Sequence, residues 1–327
     1  MFLSRSPLRI TLGGGGTDLP SYYRVNEGFL LSAAINKYVY CNITKPFEKG
    51  IYLKYSEIEK TDSIAEVNHK IIKEVLLKYQ EVSSQIEITT LADIPAGTGL
   101  GSSGSFTCAL LKSMHALKRN YVSNQAIAKE ACNIEIDRLK QPIGKQDQYA
   151  SALGGVRILE FKRDDTVNTR LLNLGQEDLE ELKDHLILYF TGYTRSALPL
   201  LDDQDKKTKN NESDMIKNLD YIKELGKTSV DLLEAKDYLQ FGLVMHDHWN
   251  YKKSRSKGMS NKLVDEIYEF ALKNGAIGGK IVGAGGGGFL LFVTSQKTQL
   301  RNSMKSYGLR EVSFNFDHEG SKLIVSE

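Results

Sequence analysis

At 327 residues the chain is long enough for two domains with substantial cores, taking about 150 residues per domain. Its 43 basic and 41 acidic residues leave a net charge of +2, so there is no general electrostatic attraction to nucleic acid or to an anionic membrane, and any anion site must be local. Apolar runs such as residues 289–293 fall far short of the ~20 residues that span a bilayer, which excludes a membrane protein. The segment from Met1 to Pro7 lacks the basic, apolar and small-residue zones of a signal peptide, and the expected location is cytoplasmic. Cys41, Cys108 and Cys132 are scattered without C-x-x-C spacing, which predicts buried thiols rather than disulfides or a zinc site.

In chain order, Leu8, Ile10 and Leu12 alternate with Arg9 and Thr11 and predict a strand. Runs at 29–35, 38–44 and 51–55 predict three more. Ile64, Val67, Ile71, Ile72, Val75, Leu76 and Tyr79 recur at helical spacing, residues 86–89 return to strand, and Pro95 breaks the chain. Residues 106–118 read as an apolar helix, and Ser123 caps another that runs through Asp137. Gly154 and Gly155 precede a strand at 156–161, and the polar stretch 163–169 reads as a linker. A strand at 186–191, helices between 198 and 274, strands at 279–282 and 289–294, a helix and short terminal strands follow. Strand runs followed by helices, without regular βαβ alternation, predict an α+β protein divided into residues 1–165 and 166–327. Trp249, on an apolar helix, reads as core, and His246 and His248 do not share a helix face, so no metal site is assigned there.

Three glycine clusters punctuate this pattern: Gly13 to Gly16, then Gly97, Gly99, Gly101 and Gly104, then Gly283 and Gly285 to Gly288. These chain-distant turns are expected to converge. The middle one, rich in serine and opening directly into a helix, has the makings of an anion cradle: glycine lets backbone N–H groups approach phosphate oxygens, and the helix N-terminus is partially positive. The Walker pattern is absent, since Gly144-Lys145 is followed by Gln146. Two G-x-G-x-x-G matches lack the context of a dinucleotide fold; one follows Pro95 and the other runs into a strand.

The order of Pro7-Leu8-Arg9-Ile10 with the first glycines and Thr17-Asp18, then residues 95–105, then residues 280–289, resembles the GHMP kinases over nearly the whole chain. The resemblance implies a fold with a ribosomal-S5-domain-2-like N-terminal half and a ferredoxin-like C-terminal half, the active site lying in the cleft between them. It implies ATP binding by Pro95, Gly97, Gly99, Leu100, Gly101, Ser102, Ser103, Gly104 and Ser105, and Mg²⁺ binding by Ser103 and Glu135, with Asp137 as the rival carboxylate. Adenine contacts fall near Lys54, Tyr55 and Ser56 as a location only. Gly144-Lys145-Gln146-Asp147-Gln148 is similar to a stretch of the family's sugar kinases, which makes Asp147 the candidate acid–base or orienting group and Arg9 the candidate catalytic cation.

Galactokinase-like members carry Gly-Glu-His-Thr-Asp where this chain has Gly14-Gly15-Gly16-Thr17-Asp18, which argues against galactose. The first motif, Tyr22-Tyr23, Gly192-Tyr193-Thr194-Arg195 and residues 280–289 are similar to the heptose 7-phosphate kinases within the family. That similarity implies phosphorylation of the anomeric hydroxyl of D-glycero-α-D-manno-heptose 7-phosphate, on the way to GDP-heptose and surface polysaccharide. The acceptor is expected to meet Gly15, Gly16, Thr17, Asp18, Asp147, Arg195, Gly285 and Gly286, with Arg195 clamping the distal phosphate. The basic run 252–257 is a second candidate for that phosphate, although it reads first as a solvated helix end. The alternatives are a fucokinase-like kinase of an unphosphorylated sugar and a catalytically silent sugar sensor.

Overall fold

The computed structural model describes residues 1–192 and 197–326. Strands β1 (Phe2–Gly14) and β2 (Gly28–Thr44) form a long antiparallel pair, with helix α1 (Pro20–Asn26) in the connection. The runs expected as two strands at 29–35 and 38–44 are one strand interrupted by a bulge, where the register jumps from Pro7 opposite Tyr38 to Leu8 opposite Ile35. Proline has no N–H to give a ladder, and a bulge is where a strand tolerates it.

Strands β3 (Gly50–Lys54) and β4 (Ile58–Thr61) lie at one edge of the same sheet. The helical pattern expected from Ile64 begins as a separate 3₁₀ turn, and α2 (Lys70–Lys78) starts only after His69, whose Nδ1 accepts the Ile72 N–H at 3.3 Å. β5 (Gln85–Ala92) then joins β2 to β3, pairing in parallel with the latter.

Helices α3 (Ser102–Leu117), α4 (Asn124–Cys132) and α5 (Gln146–Leu153) cover one face of the sheet around Ile43, Leu110, Met114 and Ile127. Ser123 caps α4 by accepting the Ala126 N–H. The expected continuation to Asp137 is a π-helical turn over Asn133–Arg138, which leaves Ile134 and Glu135 buried side by side. β6 (Val156–Phe161) pairs with β2, and β7 (Val167–Leu171) pairs with β6. The stretch 163–169 is therefore not a linker. It is the turn and second strand of a hairpin, with Asp165 at φ 68° accepting hydrogen bonds from Tyr23, Arg24 and Lys145, and the division expected at 165/166 falls inside it.

After α6 (Gln176–His185) and β8 (Leu186–Phe190) come α7 (Leu198–Lys209), α8 (Ser213–Glu234), α9 (Tyr238–Arg255) and α10 (Lys262–Lys273). β9 (Gly278–Ile281), β10 (Phe289–Val293), α11 (Lys297–Ser306) and β11 (Arg310–Glu311) complete a second sheet ordered β11-β8-β10-β9. β12 (Lys322–Ser326) returns to the first sheet beside β1. Leu8, Ile10 and Leu12 of β1 share one core with Phe241, Met245, Leu188 and Leu291, so the two sheets are joined by a continuous apolar interior. Trp249 and all three cysteines are buried, as expected, and the α+β class holds. Among the described residues no helix is long and apolar enough to cross a membrane.

The second and third glycine turns meet backbone to backbone. Gly99 has φ 84°, and a Cβ there would stand 2.6 Å from the Val282 carbonyl oxygen. Gly99→Ala is expected to lower stability by at least about 1–2 kcal/mol, the penalty of the left-handed region alone, with the close contact adding to it; urea unfolding of the two proteins measures the difference.

Candidate active site

A cavity of about 470 Å³ lies where the three glycine turns come together with the N-termini of α3 and α5 and the C-terminal part of α9. Its first wall is the start of α3. Gly101, at φ 81°, turns the chain into the helix, whose first N–H groups, from Ser102 onward, have no intrahelical acceptor. The Ser102 hydroxyl is buried with no hydrogen-bond partner among the described residues, and Gly104 has no room for a side chain because a Cβ would lie 2.7 Å from that of Asp147. Free donors, an orphaned hydroxyl and the positive end of a 16-residue helix fit a polyphosphate.

Not every loop residue expected to touch that ligand lines the cavity. The Leu100 side chain enters the core beside Leu8, and its carbonyl accepts the Arg9 N–H at 3.0 Å. The Ser105 hydroxyl is consumed by Pro7 O (2.8 Å) and Ser151 (2.7 Å), and Pro95 faces solvent with its carbonyl accepting from Thr98. Gly97, Gly99, Gly101, Ser102, Ser103 and Gly104 do line it.

At the centre, Arg9 donates from Nε and Nη2 to one oxygen of Asp147, at 2.7 and 2.6 Å, and from Nη1 to the Gly99 carbonyl at 2.5 Å. Arg9 is 5% exposed, because α3 and α5 pack against β1. Asp147 sits in the first turn of α5, and among the described residues its Oδ2 has no hydrogen-bond partner. The start of α5 is held by Asp18, whose Oδ2 accepts the Gln146 N–H at 3.1 Å and whose carbonyl accepts that of Lys145 at 3.2 Å. Burial, with the nearby Asp147 adding to it, raises the Asp18 carboxyl above its ordinary value against the backbone hydrogen bonds that lower it. Thr17 is fully buried, its hydroxyl closing on the Phe29 backbone at 2.9 and 3.1 Å, and it does not reach the cavity as expected; it fastens the first turn to β2.

Glu135, fully buried, accepts from the Ser103 hydroxyl and from Gln148 Nε2 at 2.9 Å, and burial raises its pKa. Asp137 is exposed and bonded to Asn133, which removes it as a rival. Gly15, Gly16 and Gly285 line the cavity, whereas Gly286 is turned away, its N–H given to the Met259 carbonyl at 2.8 Å. Arg195 lies outside the described residues.

The basic run at the end of α9 is not a solvated end. Lys252 and Arg255 are buried and line the cavity together with Lys280 and His248. The signal was the helical period: Phe241, Met245, His248, Lys252 and Arg255 fall on one stripe, and the stripe that carries the core residues also carries these cations. Burial, with Arg255 and Arg9 nearby, holds Lys252 down at about 7; burial lowers Arg255 to about 10 and depresses Lys280 and His248 as well. Gln204, also unanticipated, bridges Arg255 to the first turn, accepting from Nη1 at 3.1 Å and donating to Gly16 O at 2.7 Å.

The same arrangement identifies the class. Residues 68–155 match the GHMP kinases N-terminal domain and residues 229–308 the GHMP kinases C-terminal domain. The chain belongs to the GHMP kinases, enzymes that take their phosphoryl group from ATP. Within that family it is 30% identical over 336 residues to D-glycero-α-D-manno-heptose 7-phosphate kinase of Campylobacter jejuni, covering 98% of this chain and 97% of that protein. A crystal structure described as a D-glycero-D-manno-heptose 1-phosphate kinase from Bacteroides thetaiotaomicron matches with a TM-score of 0.79 at 25% identity, over 99% of both chains. The L-fucokinase/L-fucose-1-P guanylyltransferase of Bacteroides fragilis is 27% identical over 88% of this chain and 34% of that longer protein.

Two outcomes follow from these placements. Thr17→Val leaves the Phe29 N–H and carbonyl unpaired in the interior, so it is expected to lower stability by about 1–3 kcal/mol in urea unfolding, with less than a threefold change in the KM of the acceptor. Lys252 loses its proton at about pH 7 when folded and near 10.5 when unfolded, so over this window the unfolded state binds more protons and stability rises with pH. The ligand-free protein is therefore expected to have a higher urea midpoint at pH 8.5 than at pH 7, below the range where the buried thiols reverse the trend, and Lys252→Met is expected to shrink that difference.

Proposed function

We propose that this protein transfers the γ-phosphoryl group of ATP, in the presence of Mg²⁺, to the anomeric hydroxyl of D-glycero-α-D-manno-heptose 7-phosphate, a reaction that feeds GDP-heptose synthesis. The observation that carries the chemistry is the Arg9–Asp147 pair, set between the open N-terminus of α3 and the first glycine turn. With Oδ1 occupied by Arg9, Asp147 has Oδ2 left to accept the hydrogen bond of an acceptor hydroxyl and to orient it or take its proton. Arg9 also faces the charge that develops at the transferred group, and its tie to Gly99 keeps that cation fixed before substrate arrives. Phosphoryl transfer asks for this kind of positioning and charge neutralisation rather than covalent catalysis.

ATP supplies the phosphoryl group; the protein's part is to hold its phosphates on the N–H groups and Ser102 hydroxyl at the start of α3. Glu135 and Ser103 suit Mg²⁺, since a buried carboxylate without a cation partner stands against a hydroxyl, and this metal takes few protein ligands and keeps several waters. The acceptor's identity is supported by the likeness to the heptose kinases and by the first glycine turn, where small residues replace the side chains of galactokinase-like sequences. The cytoplasm is the expected site of this reaction.

The test is ATP consumption with Mg²⁺ against heptose 7-phosphate, mannose 6-phosphate, mannose, fucose and galactose, with phosphorus NMR of the product. A new anomeric phosphate on the heptose phosphate is expected; preference for a free sugar would overturn the acceptor, and no turnover with any acceptor would favour a binding-only role. Asp147→Asn is expected to lower kcat about 10²–10⁴-fold with ATP binding retained. Ser103→Ala is expected to raise the Mg²⁺ concentration needed for half-maximal rate, read from a Mg²⁺ titration at saturating ATP.

A further inference from the structure

The cavity gathers four strongly basic side chains, Arg9, Lys252, Arg255 and Lys280, against three carboxyls, Asp18, Glu135 and Asp147. Lys252, Arg255 and Lys280 line it at 7%, 8% and 1% exposure. Their partners are neutral: Lys252 Nζ donates to the Ile281 and Gly283 carbonyls, and Arg255 to Gln204, Asn218 and the Gly15 carbonyl. Lys280 Nζ lies 3.0 Å from His248 Nδ1. Carbonyls and amides offer these groups hydrogen bonds but no opposite charge, so burial and their mutual repulsion hold Lys252 and Lys280 below their ordinary values, and an anion beside them favours their charged forms. Among the described residues none of the three carboxyls hydrogen-bonds to this cluster, although Asp18 lies near enough to favour the charged form of Arg255. Asp147 is paired with Arg9, Asp18 takes the Gln146 and Gly16 N–H groups, and Glu135 faces Ser103 and Gln148.

A cluster of this kind is completed by an anion of more than one charge. The ATP phosphates have their own cradle at α3, which leaves this cluster to something else. Arg255 marks where that anion lies: its guanidinium reaches the first glycine turn at Gly15 and is braced there by Gln204, on the acceptor side of the Arg9–Asp147 pair. Among the described residues three of its five N–H groups find acceptors, and the others are left for a ligand.

We propose that Lys252, Arg255 and Lys280 bind the phosphate that the acceptor already carries, and that Arg255, positioned by Gln204, is the residue that separates phosphorylated from unphosphorylated sugars. This rests on the reading of the acceptor as a sugar phosphate. The planar fork of arginine matches two phosphate oxygens at once, whereas the lysines act as point charges. The clamp is thus assigned to α9 and β9.

The test uses the full-length protein saturated with a non-hydrolysable ATP analogue and Mg²⁺, titrated calorimetrically with inorganic phosphate, and then steady-state kinetics with heptose 7-phosphate and with heptose. Arg255→Gln is expected to weaken phosphate binding at least tenfold and to lower the ratio of kcat/KM for the phosphorylated over the free sugar at least tenfold, through KM; Arg255→Lys is expected to fall between. Lys252→Met, with its unfolding midpoint measured alongside, provides a second variant should Arg255→Gln not fold. Wild-type phosphate affinity in both Arg255→Lys and Lys252→Met, or an unchanged acceptor ratio in Arg255→Gln, overturns the proposal. If the wild type binds phosphate, the variants lose it, and heptose 7-phosphate is nevertheless not the acceptor, the anion site stands and the substrate reading fails.

Discussion

The ion pair between Arg9 and Asp147 joins three segments that are remote in sequence: strand β1, the second glycine turn through Gly99, and the first turn of α5. A buried ion pair is a poor source of stability, because taking two charges out of water offsets most of their attraction. Its value here is geometric. Arg9 spends its side-chain donors on Asp147 and Gly99 and its backbone N–H on Leu100, so the start of α5, which carries Asp147, and the second glycine turn are held to one strand. Asp18 repeats the principle from the other side, gripping the backbone at Lys145 and Gln146 just before Asp147.

Around that pair the glycines have separate purposes. Gly104 is glycine so that α3 and α5 can touch, and Gly99 so that the second and third turns can approach backbone to backbone. The turn leading into α3 presents to the cavity the first N–H groups of that helix and the Ser102 hydroxyl, which has no partner among the described residues. The interior therefore contrasts a tightly packed shell with a polar centre whose charges are incompletely paired, an arrangement that gives up stability where a ligand is to bind.

Much of the scaffold was legible because its periodicities are strong. The strand at 156–161, the cap at Ser123 and the buried Trp249 follow from alternation, capping chemistry and helical spacing. The misreadings have physical causes. A polar run at 163–169 looks the same in a hairpin turn as in a linker, and only pairing of β7 with β6 separates the two. The π-helical turn that buries Glu135 leaves no mark on composition, and the basic run of α9 reads first as a solvated end, and only second as a phosphate site, because its charge outweighs the phase of the stripe that Lys252 and Arg255 share with Phe241 and Met245.

The sequence by itself determined the α+β class, the three glycine turns and the helix that opens from the second of them, because these depend on periodicity and local backbone freedom, and its resemblance to a known family made Arg9, Ser103, Glu135 and Asp147 candidates. The tertiary structure decided which of these side chains face one another and which are used up. Thr17, Leu100 and Ser105 belong to the expected motifs yet serve the framework, while Gln204, Lys252 and Arg255 enter the cavity from segments outside the three glycine motifs, and Lys280, at the start of the third, joins them there. The reason is that burial and electrostatic surplus are properties of what surrounds a group, and the surroundings of these residues come from chain segments as many as about 240 positions away, as between Gly15 and Arg255.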